Sequence, residues 1–396
     1  MRRLEIPPLE IPGLDVARAK RYSRARLALL IAGTGCTVAR LAIFALTGWS
    51  SRLRRRCEGA PYRVLPAPLF LAAAGVIGWG ADLPIRLASL QIERRFGLTK
   101  QSGLDWLLDQ CKGLVLGLTL QVPLEVVAFT VVRRRPRDWW LLVSAATVPL
   151  SILGSRLAPV VIMPLFNRFE PIADRELANR ISVLASRAGV PIADVYRMDM
   201  SRQSEKPNAF FTGLGRSKRI VLGDTLIDRF SAEEIEGVVA HELGHQVHGD
   251  MWRLIAMGSG LGVGAAYGLH RLAPPAIRRT SRWTGTNAIG DEASFPMLGL
   301  LMVGIGLVLT PIQLGVSRAF ERRTDRFAVQ LTGDGVAYAS SMARLAAASL
   351  SDPNPSPLAV VLLYSHPPVA ERIAAARAAA AGAPSSAPSN VPGVMR

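Results

Sequence analysis

From Gly299 to Ser317 the chain carries no charged residue, and the surrounding run, Phe295 to Phe320, is long enough to cross the hydrocarbon core of a bilayer as one helix. Lipid offers no partners for backbone polar groups, so such a run admits little besides a transmembrane helix. Five further stretches approach this length: Leu27 to Trp49, Val64 to Leu90, Gly113 to Val132, Trp139 to Phe166 and Leu254 to Leu269. Several carry one or two charges, among them Arg40, Asp82, Arg86, Glu125 and Arg156. Charges at such depth face a bundle interior or a wet cavity, and they hint at a hydrated chamber. Arg86 and Arg156 fit equally well as side chains snorkelling from helix ends.

Composition agrees with a membrane chain: 49% of the 396 residues are hydrophobic. The net charge of +17 does not gather on one compact domain with interleaved aromatics, so no nucleic-acid partner is expected. It sits in the gaps between apolar runs, as in RAKRYSRAR (Arg18 to Arg26), SRLRRR (Ser51 to Arg56) and RRRPR (Arg133 to Arg137), as flanks of membrane spans do. Cys36, Cys57 and Cys111 are too scattered for a disulfide framework or a thiolate metal site. No clean cleavage site follows the first apolar stretch, which reads as a retained anchor.

The block Asn167 to Arg253 has the texture of a soluble domain. Asp174 to Val190 shows helical spacing, whereas VYRMDM and RIVLGDTLI read as short strands. SAEEIEGVVAHELGHQVHGD then opens on Ser231 with Glu234 three residues later, the signature of a capped helix. On that helix His241 and His245 share a face and can present two imidazoles to one ion, with Glu242 beside them as general base. Zinc suits the arrangement because it polarises a carbonyl and activates water. A catalytic zinc wants a third protein ligand. His248 lies a further turn along the axis, out of reach of a tetrahedral site. Glu321, at the end of the last span in FERRTD, is the best candidate, and Asp325 one turn later can hold a ligand imidazole through its other nitrogen. The plainer alternative is that Glu321 and Asp325 form a solvated face paired with Arg318 or Arg322.

Four pieces in order, FGLTKQS (Phe96 to Ser102), NAFFTGLGRSKRIVLGDTL (Asn208 to Leu226), HELGH with ERRTD, and HPPVAER (His366 to Arg372), make the chain resemble the membrane-embedded zinc peptidases of the CAAX prenyl protease type, peptidase family M48, and their bacterial relatives. The resemblance implies one zinc ion per chain on His241, His245 and Glu321, Glu242 as base and Asp325 orienting a ligand. It implies that Asn208, Ala209 and Phe210 belong to an edge strand that binds extended peptide, and that His366 and Arg372 steady developing negative charge. Read without the family, His366 could be a loop cap and Arg372 a surface charge. One span fewer precedes FGLTKQS than in the eukaryotic members, which puts the size of any chamber in question.

The expected architecture is a mainly α, polytopic membrane helical bundle of about six spans with an inserted zincin-like α+β catalytic domain. Its parts are a basic segment (1–26), membrane helices (27–166), the peptidase domain (167–253), two more membrane helices (254–320), a second catalytic portion (321–379) and a disordered tail (380–396). Expected partners are a peptide or protein substrate and the lipid bilayer. The resemblance places the chain in the cell membrane with its zinc domain on the cytoplasmic side, although SRLRRR and RRRPR would then both lie outside. Competing readings are a broad-specificity quality-control protease, an intramembrane protease, and a transporter or scaffold with a vestigial metal site. The polar run SAEEIEGVV before His241 argues against the intramembrane case, and the presence of Glu242 against the vestigial one.

Overall fold

Asp15 starts the first helix by accepting the Arg18 amide at 2.8 Å, so the basic lead is already helical and α1 runs Val16–Leu46. The computed structural model describes residues 11–59, 65–213 and 218–382. The first ten residues of the basic segment, Val64 of the second expected span, Leu214–Ser217 of the family-like segment and the tail from Ala383 lie outside the described residues; Ala380–Gly382 close the last helix. After α1 come a short α2 (Trp49–Cys57), α3 (Pro66–Arg95), α4 (Gly103–Arg134) and α5 (Trp139–Leu157). α5 loosens into a π turn at Ala158–Ile162, where Pro159 has no amide to continue the ladder.

The extramembrane part then begins with β1 (Phe169–Pro171), α6 (Arg175–Arg187), β2 (Asp194–Met198), β3 (Ala209–Thr212), β4 (Arg219–Gly223) and α7 (Asp224–Ile227). The chain continues through α8 (Ala232–Val247), α9 (Asp250–Thr284), α10 (Phe295–Thr332), α11 (Gly335–Ser349), α12 (Pro357–Leu363) and α13 (Val369–Gly382). The sheet order is β1-β2-β4-β3, with β2 and β4 parallel and both outer pairs antiparallel. Ile220, Val221 and Leu222 of β4 are all buried, the continuous apolar run of a central strand, and β3 is left as an edge.

Among the described residues, five helices are long and apolar enough to cross a membrane: α1, α3, α4, α5 with its extension, and α10. Their outward faces are greasy; Ile31 and Val115 are each 64% exposed and Leu307 66%, a pattern suited to lipid. The sixth expected span, Leu254–Leu269, falls within α9 but is not among the five. Repeated glycines (Gly258, Gly260, Gly262, Gly264) and flanking arginines dilute its hydropathy, and the helix packs against α5 and α10. Of the intramembrane charges, Arg40 faces Asp82 across α1 and α3 at 3.7 Å, and Arg86 donates to Gln110 of α4 at 3.1 Å.

Sheet and α6 form one wall of a core completed by α8, the end of α10, α11 and α13. α8 and α10 touch closely at Gly244, where an added Cβ would stand 2.8 Å from Thr324 Cγ2 and 3.0 Å from the Phe327 ring. Gly244→Val is therefore expected to destabilise the protein by about 2–3 kcal/mol through overpacking, read as a lower melting temperature in detergent. An unchanged melting point would mean that α8 and α10 can separate freely.

Candidate metal and peptide site

α8 is fixed at its start by the reciprocal cap anticipated from the sequence: Ser231 Oγ accepts the Glu234 amide at 3.3 Å and Glu234 accepts the Ser231 amide at 2.9 Å. Three turns on, His241 and His245 bring their Nε2 atoms to 3.2 Å of one another. Glu321 arrives from α10, with Oε2 3.2 Å from His241 Nε2 and Oε1 3.5 Å from His245 Nε2. One ligand atom from each of the three lies within 4.8 Å of the others.

Each imidazole is held from behind. His241 Nδ1 lies 3.0 Å from Asp325, and His245 Nδ1 lies 2.9 Å from Asp250. With both Nδ1 atoms facing carboxylates, the Nε2 lone pairs turn toward each other and toward Glu321. Glu321 Oε2 is buried and accepts no hydrogen bond. Two imidazole nitrogens and an unpartnered buried carboxylate oxygen, converging on one point, fit the donor set of a divalent cation such as zinc.

Burial works against charge on His241, but the adjacent carboxylates of Asp325 and Glu321 outweigh it and hold its pKa up at about 9. Burial pushes the Glu242 carboxyl above its usual range. Glu242 opens onto a cavity of about 650 Å³ that also reaches His241, His366, Arg372 and the start of β3. Ser23, Arg26, Leu27 and Leu30 of α1 also line it.

The remaining expected residues distribute as follows. Asn208 and Ala209 line the cavity at the head of β3; Asn208 is exposed, and its carbonyl accepts the Gly223 amide at 2.9 Å. Ala209 and Phe210 pair with Leu222 and Val221 of β4. His366 is half exposed, with Nε2 3.4 Å from Glu321. Arg372 comes within 3.9 Å of Glu321 but commits its fork to Asp325, through Nε at 2.9 Å and Nη2 at 2.6 Å. His248 caps α8 and packs on Phe327, apart from the His241–His245–Glu321 group. Arg318 donates to the carbonyls of Val360 and Tyr364, and Arg322 pairs with Glu371, so neither arginine neutralises Glu321.

Two residues escaped the sequence reading. Asp250 follows Gly249, whose φ of 65° turns the chain from α8 into α9; its carboxylate also receives Arg323 and reaches Thr324 at 3.5 Å. The acid five residues past His245 was a signal that could have been followed. Tyr338, fully buried on α11, donates to Asp325 at 2.5 Å and lies 3.2 Å from His241 Nδ1; no local pattern announces it. Asp250→Ala is expected to weaken zinc binding by about 10–100-fold, measured by competition with a chromophoric chelator. An unaltered affinity would show that His245 needs no such support.

Comparison with known proteins agrees with this geometry. Residues 171–380 match the peptidase family M48 model, and residues 10–168 match the CAAX prenyl protease N-terminal model, described as five membrane helices. Over that stretch this chain has four long helices and the nine-residue α2. An uncharacterized metalloprotease of Bacillus subtilis, YhfN, is 28% identical over 91% of this chain and 85% of its own length. The CAAX prenyl protease 1 homolog of Arabidopsis thaliana is 34% identical, covering 76% and 72%. The crystal structure of S. mikatae Ste24p superposes with a TM-score of 0.84 at 27% identity, over 94% of this chain and 92% of that one. A multi-pass helical bundle with its own extramembrane catalytic part, the chain belongs to peptidase family M48 and is a membrane metalloprotease of the CAAX prenyl protease type.

Proposed function

We propose that the protein is a zinc-dependent endopeptidase with one Zn2+ held by His241, His245 and Glu321. The observation that carries this reading is the convergence of those three side chains within 4.8 Å, with a carboxylate behind each imidazole. Zinc, when bound there, supplies Lewis acidity toward the scissile carbonyl and toward water. Glu242 takes the proton from the attacking water and delivers it to the leaving amine, a shuttle suited to a carboxyl whose pKa burial has raised. His366, beside Glu321 at the cavity wall, offers an N–H toward charge developing on the carbonyl oxygen. Arg372 and Tyr338 fix Asp325, and through it the His241 ring.

Substrate lies extended along the free edge of β3, where backbone hydrogen bonds hold a peptide with little regard for its side chains. That mode favours extended, membrane-associated polypeptides, and CAAX-type C-terminal processing is one task within its reach. Broad quality-control cleavage is the second reading, favoured by the same backbone recognition. Zinc analysis of the purified protein, with peptide cleavage before and after chelation and zinc restoration, tests the proposal. Activity that survives complete zinc removal would refute it.

The protein acts in the cell membrane with the catalytic part facing the cytoplasm. A topology reporter fused after Asp228 is expected to read as cytoplasmic, and a signal from the other side would reverse the orientation.

A further inference from the structure

At the head of the edge strand a lysine is gripped by the membrane helices. Lys206 Nζ lies 2.8 Å from Tyr22 Oη of α1 and 3.1 Å from Glu93 of α3. Tyr22 is buried and donates to Glu93 at 2.6 Å, while Arg26 approaches the same carboxylate at 3.4 Å. The lysine ammonium also sits over the Tyr22 ring, 5.2 Å from its centroid.

Lys206 is followed by Pro207, Asn208 and then β3. Proline stiffens this approach and keeps the residue before it extended. On the core side the segment is held by Thr225, donating to the Lys206 carbonyl at 3.3 Å, and by Gly223, donating to Asn208. On the membrane side the cluster of Lys206, Glu93 and Tyr22 supplies the hold. α1, which contributes Tyr22, also lines the catalytic cavity through Ser23, Arg26 and Leu27, as Asn208 and Ala209 do from the head of β3.

We propose that Lys206, clamped by Glu93 and Tyr22, is a positioning residue that sets the gap between β3 and α1, and thereby the affinity for an extended peptide. This rests on the reading of β3 as the peptide-binding edge. Docking of the two parts of the molecule does not depend on the clamp. Asp109 of α4 separately receives Arg202, Gln203 and Gln101, and the Glu205 amide bonds to the Leu98 carbonyl at 2.9 Å. Loss of the clamp therefore shifts the strand without releasing the domain.

The test uses the full-length, zinc-loaded protein in detergent. Affinity for a fluorescent, unstructured peptide is read by anisotropy on a Glu242→Gln background, where no turnover is needed. Glu93→Gln and Lys206→Met are each expected to raise Kd about tenfold with zinc content unchanged, a modest share of what misplacement near a site can cost. In the active protein KM rises by the same factor while kcat stays within about twofold. Lys206→Arg, which keeps a cation facing Glu93 and Tyr22, is expected to recover most of the affinity. Unchanged Kd in Glu93→Gln and Lys206→Met, or no recovery with Lys206→Arg, overturns the proposal; a drop in melting temperature with Kd intact would mark the cluster as structural only and overturn it too. Zinc-independent cleavage by the parental protein would count against the proposed function and not against the clamp.

Discussion

Glu242→Gln is expected to lower peptide cleavage by about 10³-fold while one zinc per chain is retained. The amide keeps the size of the side chain and its place in the cavity beside His241, so the metal-binding set is undisturbed. What it loses is the ability to accept a proton and return it. The effect should appear in kcat, with KM for the peptide little changed, because Glu242 is not part of the β3 edge. Cleavage at the parental rate by a zinc-containing variant would rule out the proposed base.

Glu321→Ala should remove the metal itself. Glu321 is the one carboxylate facing both Nε2 atoms, and its Oε2 is buried with no hydrogen bond to lose. Two imidazoles alone make an incomplete set for a catalytic zinc. Affinity is expected to fall by more than the roughly 10–100-fold that losing an outer partner such as Asp250 costs, and activity should vanish with it. Glu321→Asp, which withdraws the carboxylate by about 1.5 Å, should fall between the two. Zinc bound at parental strength by the alanine variant would contradict the assignment. Melting curves on the same samples separate metal loss from misfolding.

His241 and His245 were readable because helical spacing puts them on one face with Glu242 beside them, and the Ser231–Glu234 cap marked the helix before any tertiary contact was known. Glu321 and Asp325 could be named because an acidic pair so close behind a membrane span asks for a reason. The partners behind the ligands were harder. Tyr338 reaches Asp325 only because α11 folds back onto α8, which nothing local encodes. The family resemblance assigned Arg372 to developing negative charge, whereas its bidentate grip on Asp325 depends on where α13 lands and has no local signature. α9 differs for another reason: Leu254 to Leu269 carries no charge and so reads as a span, but its glycines and the flanking Arg253 and Arg271 leave it less apolar than the other five helices.

α10 is continuous from Phe295 to Thr332, so the stretch among the lipids and the carboxylate facing the imidazoles belong to one rod. A thinner bilayer would be accommodated partly by inclining that rod, and pivoting it by about 5° moves a point some 20 Å from the pivot by about 2 Å. That is enough to pull Glu321 out of register with α8. Catalytic output is therefore expected to vary with membrane thickness, and an optimum across vesicles of graded acyl-chain length is the result that checks it.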